Sequence, residues 1–187
     1  MSRWQPDARG RMLDAALELF AEQGYDRTTA GDIATRAGVT ERTFFRHFAD
    51  KREVLFAGPV LLDEVVVETV GAVDPEAAPW PVAIAAVREA AARLGAARTP
   101  AQAAQRARIV AQTPALQERE LLKMASMTSA IAAALVGRGV AEPLANLAAH
   151  SAVAVFSAAF ARWASGEEDR PFEQCVDEAA SALRELT

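Results

Sequence analysis

Thr29–Lys51, TAGDIATRAGVTERTFFRHFADK, decides the fold. Three helix starts lie within it. Thr29 with Asp32 three places on is a capping-box pattern, in which the hydroxyl and the carboxylate each accept an N–H that a helix start leaves without a partner. The helix that follows carries Ile33, Ala34 and Ala37 and stops at Gly38, because glycine enters the left-handed conformation without a β-carbon clash. After Val39, Thr40 caps a second helix, TERTFFRHF, and Asp50 with Glu53 caps a third. Two short helices joined by a tight glycine-containing turn form a helix-turn-helix, a unit whose second helix enters the DNA major groove.

Helical spacing separates the inner from the outer residues of that second helix. Phe44 and Phe48 are four apart and point together into a core, with Ile33, Val39 and Leu55 as neighbours. Upstream, Leu13, Ala16, Leu17 and Phe20 share one face of a helix over Gly10–Gln23, ended by Gly24, and supply the floor on which the unit rests. Glu41, Arg42, Thr43, Phe45, Arg46 and His47 occupy the remaining faces. Arg42 suits a guanine edge, Glu41 a cytosine amine, and Thr43 a thymine methyl or a phosphate. His47 and Lys51 suit phosphate, which fixes register without reading sequence. Each of these residues alone reads as a solvated helix face; the caps and turn around them favour the nucleic-acid reading. Arg3, Arg9 and Arg11 form either a basic arm or a solvated terminus.

Charge distribution refines this picture. The net charge of −5 lies wholly outside the first third of the chain: residues 1–57 hold nine Lys/Arg and nine Asp/Glu, and the remainder eleven against sixteen. A neutral module does not hold nucleic acid through bulk charge, so its contact is small and two copies help. The lone Cys175 excludes a disulfide framework within one chain, and the start MSRWQPDARG lacks a signal-peptide apolar core. The longest apolar stretch, Ser151–Ala161, is about half a bilayer span. The expectation is a protein of the cytoplasm with no membrane segment, no cofactor and no metal site.

The AALELFAEQGYDRTT approach, the DIATRAGV helix and the TERTFFRHFADKREVL run together resemble the N-terminal domain of TetR-family transcriptional regulators, specifically over about residues 10–57. The resemblance implies an all-α fold with a three-helix DNA-binding domain over 1–57. A helical effector-binding and dimerisation domain over 58–187 completes it. It implies phosphate contacts from Thr29, His47 and Lys51, with Thr40 to Thr43 facing bases and Phe45 and Arg46 beside them. Where the family usually has tyrosine this chain has Phe45, which loses a hydroxyl bond to phosphate and keeps an apolar face for sugar or a thymine methyl. The implied partners are a near-palindromic operator in double-stranded DNA, a second copy of the chain, and a small-molecule effector of apolar or amphipathic character that releases a repressor.

Beyond residue 57 the helical pattern runs through Leu61, Leu62, Val65 and Val66 towards Val73, interrupted at Gly58-Pro59, where a kink is a candidate signalling pivot. Asp74–Pro81 reads as a proline-rich loop before an alanine-rich helix over Val82–Ala97. Thr99-Pro100 and Thr113-Pro114 each open a further helix, the first with a capping-box partner in Gln102. The last two helices run from Glu142 or Pro143 to Ser165 and from about Pro171 to Leu186. Leu144, Ala148, Ser151, Val155, Ala158 and Arg162 make a mostly small stripe on one. Phe172, Val176, Ala179, Leu183 and Leu186 make a 4-3-4-3 stripe on the other. Paired with a second copy, these stripes suit a four-helix bundle on a two-fold axis, as the resemblance implies, or else packing within one chain. For an effector, Met124, Met127, Trp80, Phe156, Phe160 and Trp163 are candidate walls, and Asn146, His150, Gln105 and Arg106 candidate polar groups; plain core competes with each. Catalysis has little support: there are two histidines, no phosphate-cradling loop and no metal-ligand spacing. Glu167, Glu168 and Asp169 read as a solvated loop. An architectural or adaptor protein that uses the helix-turn-helix for protein contacts is the alternative, disfavoured by the basic Arg42, Arg46 and His47.

Overall fold

The computed structural model describes residues 7–56, 61–166 and 170–186, and these hold ten α-helices and no strand. Contacts divide the chain into two compact units. The first comprises Met1–Pro59 with Gln105–Glu120, and the second Val60–Ala104 with Leu121–Thr187. The segment 105–120 therefore joins the first unit, a return of the chain that a single boundary at 57/58 does not include.

The first unit is built on α1 (Ala8–Gln23), α2 (Ala30–Arg36), α3 (Glu41–His47) and α4 (Glu53–Phe56). Met12, Ala16, Ile33, Phe44, Val54, Leu55 and Leu116 have essentially no exposure and make its core. Phe48 joins them and tilts against Phe44 at 5.2 Å between ring centres. Each helix start is closed by a side chain, at Thr29, Thr40 and Asp50 as the sequence predicts and at Asp7 as it did not, α1 beginning at Ala8, two residues ahead of the expected start at Gly10. Asp7 Oδ1 accepts from the Gly10 N–H at 2.8 Å. Thr29 and Asp32 make the reciprocal capping box, and Thr40 Oγ1 accepts from the Thr43 N–H at 3.2 Å. Asp50 Oδ1 accepts from the N–H groups of Arg52 and Glu53. Gly24 and Gly38 take φ values of +87° and +68°, where a β-carbon is strained.

The second unit contains α5 (Leu62–Ala72), α6 (Pro79–Ala97), the start of α7 (Pro100–Ala111), most of α8 (Pro114–Gly137), α9 (Glu142–Ser165) and α10 (Phe172–Glu185). Its core is dominated by alanine and valine on α6 and α9, which lets helices approach closely, with Met127, Ile131 and Leu135 from α8. Arg138 closes the end of α5 from a distance, donating to the carbonyls of Val70 and Val73 at 2.8 and 2.9 Å. The loop predicted to reach Pro81 ends at Ala78: Pro79 and Pro81 stand inside the first turn of α6, where a helix makes no use of the missing N–H. α8 and α9 are each long and apolar enough to cross a membrane by length and composition, yet both give a face to this core. The Gly58-Pro59 pivot and the Glu167–Asp169 cluster lie outside the described residues.

Candidate nucleic-acid interface

The outer surface of α3 separates into engaged and unengaged side chains. Thr29 gives both its N–H and its hydroxyl to Asp32 Oδ2, at 2.9 and 2.7 Å. These bonds hold the Asp32 carboxyl below its ordinary range: the Thr29 hydroxyl contributes most, and the Thr29 N–H adds to it. Thr40 and Thr43 share a hydroxyl–hydroxyl bond of 3.0 Å beside the cap. The Glu41 carboxylate lies over Gly31, where a β-carbon would meet it at 3.7 Å. Four of the nine candidate contact residues are thus occupied in building the unit: Thr29, Thr40, Thr43 and, as follows, Lys51.

Lys51 is engaged within the unit. Its ammonium sits 4.1 Å from the centre of the Tyr25 ring and donates to the carbonyls of Tyr25 at 2.8 Å, Thr28 at 3.1 Å and Asp26 at 3.4 Å. All three of its bonds go to the loop between α1 and α2, where the Tyr25 carbonyl also accepts from the Thr28 N–H. In the described structure Lys51 is a strut within the unit, with no donor left over for a phosphate.

The remaining cations follow the same pattern. Arg36 pairs with Glu22 and Glu18 at 2.9 and 3.1 Å, Arg52 with Asp50 at 2.8 Å, and Arg27 donates to the Gln23 carbonyl at 2.7 Å. Arg11 donates to the Ala37 carbonyl at 3.1 Å, and Arg9 lies 5.9 Å from the Phe48 ring centre. The side-chain bond from Arg36 holds Glu22 low. Burial raises Asp50, but its bonds from Arg52 and from two backbone N–H groups outweigh that and leave it low as well. Among the described residues, Arg42 and Arg46 make no ion pair or hydrogen bond, and both are exposed. Phe45 is 52% exposed and is held edge-on against Phe44, the ring centres 5.4 Å apart. His47 is exposed one residue further on.

A second cluster binds the segment 105–120 to this unit. Arg106, 4% exposed, donates to the Leu55 carbonyl at 3.1 Å and pairs with Glu120. Its guanidinium lies 4.8 Å from the Phe56 ring centre, and that of Arg119 lies 5.1 Å from it. Arg119 also pairs with Glu53 at 2.7 Å. Gln105 donates to the Leu17 carbonyl at 3.2 Å. The candidate effector contacts Gln105 and Arg106 are therefore internal braces of the first unit. Short-range sequence patterns carry no signal for a pairing between residues fifty positions apart.

The other effector candidates do not converge either. Met127 and Phe156 are buried in the core of the second unit, and Met124 and Phe160 pack against it. Asn146 and His150 are exposed on α9, the ring Nδ1 lying 2.8 Å from the Asn146 carbonyl. Trp80 lines an apolar surface groove of about 400 Å³ with Leu144, Leu147, Ser151 and Leu183. A larger cleft of about 720 Å³ involves residues the sequence did not mark, among them Gly95, Thr99, Arg98 and Glu173. Trp163 and Phe172, stacked at 4.8 Å, form its apolar wall.

The residues of the partner stripes divide between buried and exposed positions. Ala148, Val155, Phe172 and Val176 lie inside the subunit's own core, and Ala179 and Leu183 are half-buried. Arg162 pairs with Glu178 at 2.9 Å. A 4-3-4-3 pattern marks the buried face of a helix but does not say which neighbour buries it. The exposed apolar surface of α9 runs instead through Leu144, Leu147, Ala154, Ala158 and Ala161.

The helix-turn-helix with its outward arginines and the helical second unit define a two-part regulator class. Residues 12–57 match the family of bacterial regulatory proteins known as tetR, and residues 77–186 match the MftR C-terminal domain. The chain belongs to the TetR family. It is 48% identical over 56 residues to the transcriptional regulator TcmR of Streptomyces glaucescens, a match covering 30% of this chain and 25% of that protein. It is 44% identical over 48 residues to AcrR of Shigella flexneri, covering 26% and 22%. The chain thus matches about a quarter of the length of these curated relatives. Across the whole chain the fold is that of NalD, the secondary repressor of the MexAB-OprM multidrug efflux pump in Pseudomonas aeruginosa, at a TM-score of 0.64, 19% identity and 96% coverage of both chains. SmeT in its triclosan complex gives 0.61 at 22% identity, covering 94% of this chain and 90% of that one.

Proposed function

We propose that this chain is a dimeric, sequence-specific transcriptional regulator of the cytoplasm that represses from a near-palindromic operator and is released by a small-molecule effector. The observation that carries the reading is the outer surface of α3. Arg42, Phe45, Arg46 and His47 stand exposed on a helix whose other side is fixed by Phe44 and Phe48. Placed in a major groove, such a surface meets base edges, and a second copy meets a second half-site at least one helical turn away. The second copy docks on α9 and α10, through Leu144, Leu147 and the small residues Ala154, Ala158 and Ala161. Small side chains there allow the close helix approach of a four-helix bundle. The effector site is the 720 Å³ cleft beside Trp163 and Phe172, whose size suits a drug-sized molecule with an apolar body. For release, the effector must bind the conformation that mismatches the operator more tightly than the one that fits it.

Selection of fragmented genomic DNA on the purified protein at near-physiological salt tests this. The expected outcome is one enriched inverted-repeat motif. No enriched motif, before and after unfolding, removal of bound small molecules and refolding, refutes the DNA-binding function.

A further inference from the structure

We infer that each operator half-site is read chiefly as two G·C pairs with no more than one base pair between them, their guanines held by Arg42 and Arg46. This rests on the DNA-binding reading and narrows it from a surface of nine candidate residues to two that discriminate bases.

The inference starts from which charges are committed. Within residues 7–56 there are eight Lys/Arg. Arg11, Arg27, Arg36, Lys51 and Arg52 are held by carboxylates or carbonyls, and Arg9 lies against Phe48. Arg42 and Arg46 alone among the described cations of that span have no protein partner, and they share one helix. Residues four apart on an α-helix differ by only about 40° in direction and lie about 6 Å apart along the axis. That separation is a little under two base steps of about 3.4 Å each. Two guanidinium forks at this spacing, facing the same way, meet guanines on neighbouring or next-but-one base pairs. Each guanine offers O6 and N7 as a matched acceptor pair, which the planar fork takes bidentately.

The other candidates are poorly placed to compete. The hydroxyls of Thr40 and Thr43 bond to each other. The Glu41 carboxylate lies back over Gly31. Phe45 has no donor or acceptor, and His47, the last residue of α3, stands about 100° from Arg46 and about 140° from Arg42 around the helix, off the face the two arginines share. Base discrimination by hydrogen bonding is thereby concentrated on the two arginines.

The test uses the selected operator rather than the protein alone. In synthetic duplexes, each half-site guanine is replaced singly by 7-deazaguanine, which removes the N7 acceptor and leaves pairing intact. Binding to wild-type protein is expected to fall about tenfold at two guanines per half-site and at no others, the range of a lost bidentate contact. Arg42→Met is expected to abolish the sensitivity at one guanine and Arg46→Met at the other, each removing the donors that meet O6 and N7. A motif without such a guanine pair, or a guanine pair whose deaza substitution leaves affinity unchanged, overturns the inference while the DNA-binding reading stands. Absence of any motif overturns both.

Discussion

Arg106→Met removes the guanidinium that joins the segment 105–120 to the recognition head while keeping an apolar stem of similar length. The buried Leu55 carbonyl then loses its side-chain donor, which costs about 1–3 kcal/mol. Loss of the cation from the Phe56 face costs about 1 kcal/mol more. The Glu120 side chain is 30% exposed and recovers water, so breaking its pair with Arg106 adds little. The sum is about 3 kcal/mol, at the lower end for breaking a buried pair. Native-state hydrogen exchange is the suitable assay, because it reads each unit separately and does not assume a single unfolding transition. Protection of the amides in α1–α4 is expected to fall roughly a hundredfold, while those of α9 and α10 keep theirs; the conversion is about 1.4 kcal/mol per factor of ten. Adding Glu120→Leu to Arg106→Met is expected to restore part of the loss, since an apolar pair of similar volume replaces a broken ionic one. A loss under tenfold in α4, or an equal loss in α9 and α10, would refute the claim that Arg106 is a local brace of the head.

Lys51→Met is expected to destabilise the head by about 2 kcal/mol through its three lost carbonyl bonds, while leaving the salt dependence of DNA binding unchanged; a flatter salt slope in a fully folded variant would put Lys51 back on a phosphate. Phe45→Tyr restores a hydroxyl on an exposed ring and is expected to strengthen binding a few-fold on operator and random DNA alike; competition titrations with both duplexes would detect a gain confined to the operator, which contradicts it. Asp32, Glu22 and Asp50 are all held below their ordinary values, so their contribution is complete above the unfolded carboxylate range and is lost as pH falls through the lower folded values. Helicity and head protection are accordingly expected to hold above about pH 5 and decline below about pH 4. Asp32→Asn and Asp50→Asn should each shallow that decline, and a head equally acid-labile in both variants would exclude these carboxylates as its cause.

Local signals were legible where the physics is local. Every cap from Thr29 to Gln102 acts over three residues, and each one appears in the structure at the position its spacing indicates. The inward pair Phe44 and Phe48 follows from helical period alone. What the sequence could not disclose is where a side chain finds a partner far along the chain. Arg106 meets Leu55 and Glu120, and Arg138 meets the end of α5, through tertiary folding that leaves no periodic trace. The same limit explains the stripes of α9 and α10. Phe172 and Val176 are apolar because something covers them, and the covering turned out to be their own subunit, with Phe172 tilted against Phe156 at 5.1 Å. Lys51 shows a related limit: a cation near a recognition helix looks available until the carbonyls of a neighbouring loop are placed around it.

The internal commitment of charge bears on how such a regulator discriminates. Six of the eight Lys/Arg in the described head are engaged within it, and positive and negative residues balance over 1–57. Attraction to the phosphate backbone scales with the number of phosphates neutralised and supplies most nonspecific affinity. A head with few available cations therefore holds random DNA weakly, and what affinity it has comes disproportionately from base contacts. One half-site is then a weak ligand, and useful occupancy depends on two heads binding together at a fixed spacing, where the second contact benefits from the first. Such an arrangement is also easy to release. Disturbing the spacing sacrifices one head's contacts at once, so an effector with a coupling free energy of about 1–3 kcal/mol, the usual allosteric range, lowers operator affinity by roughly 5–150-fold. A head rich in unpaired lysines would remain on the DNA after the same disturbance, held by phosphates that carry no register.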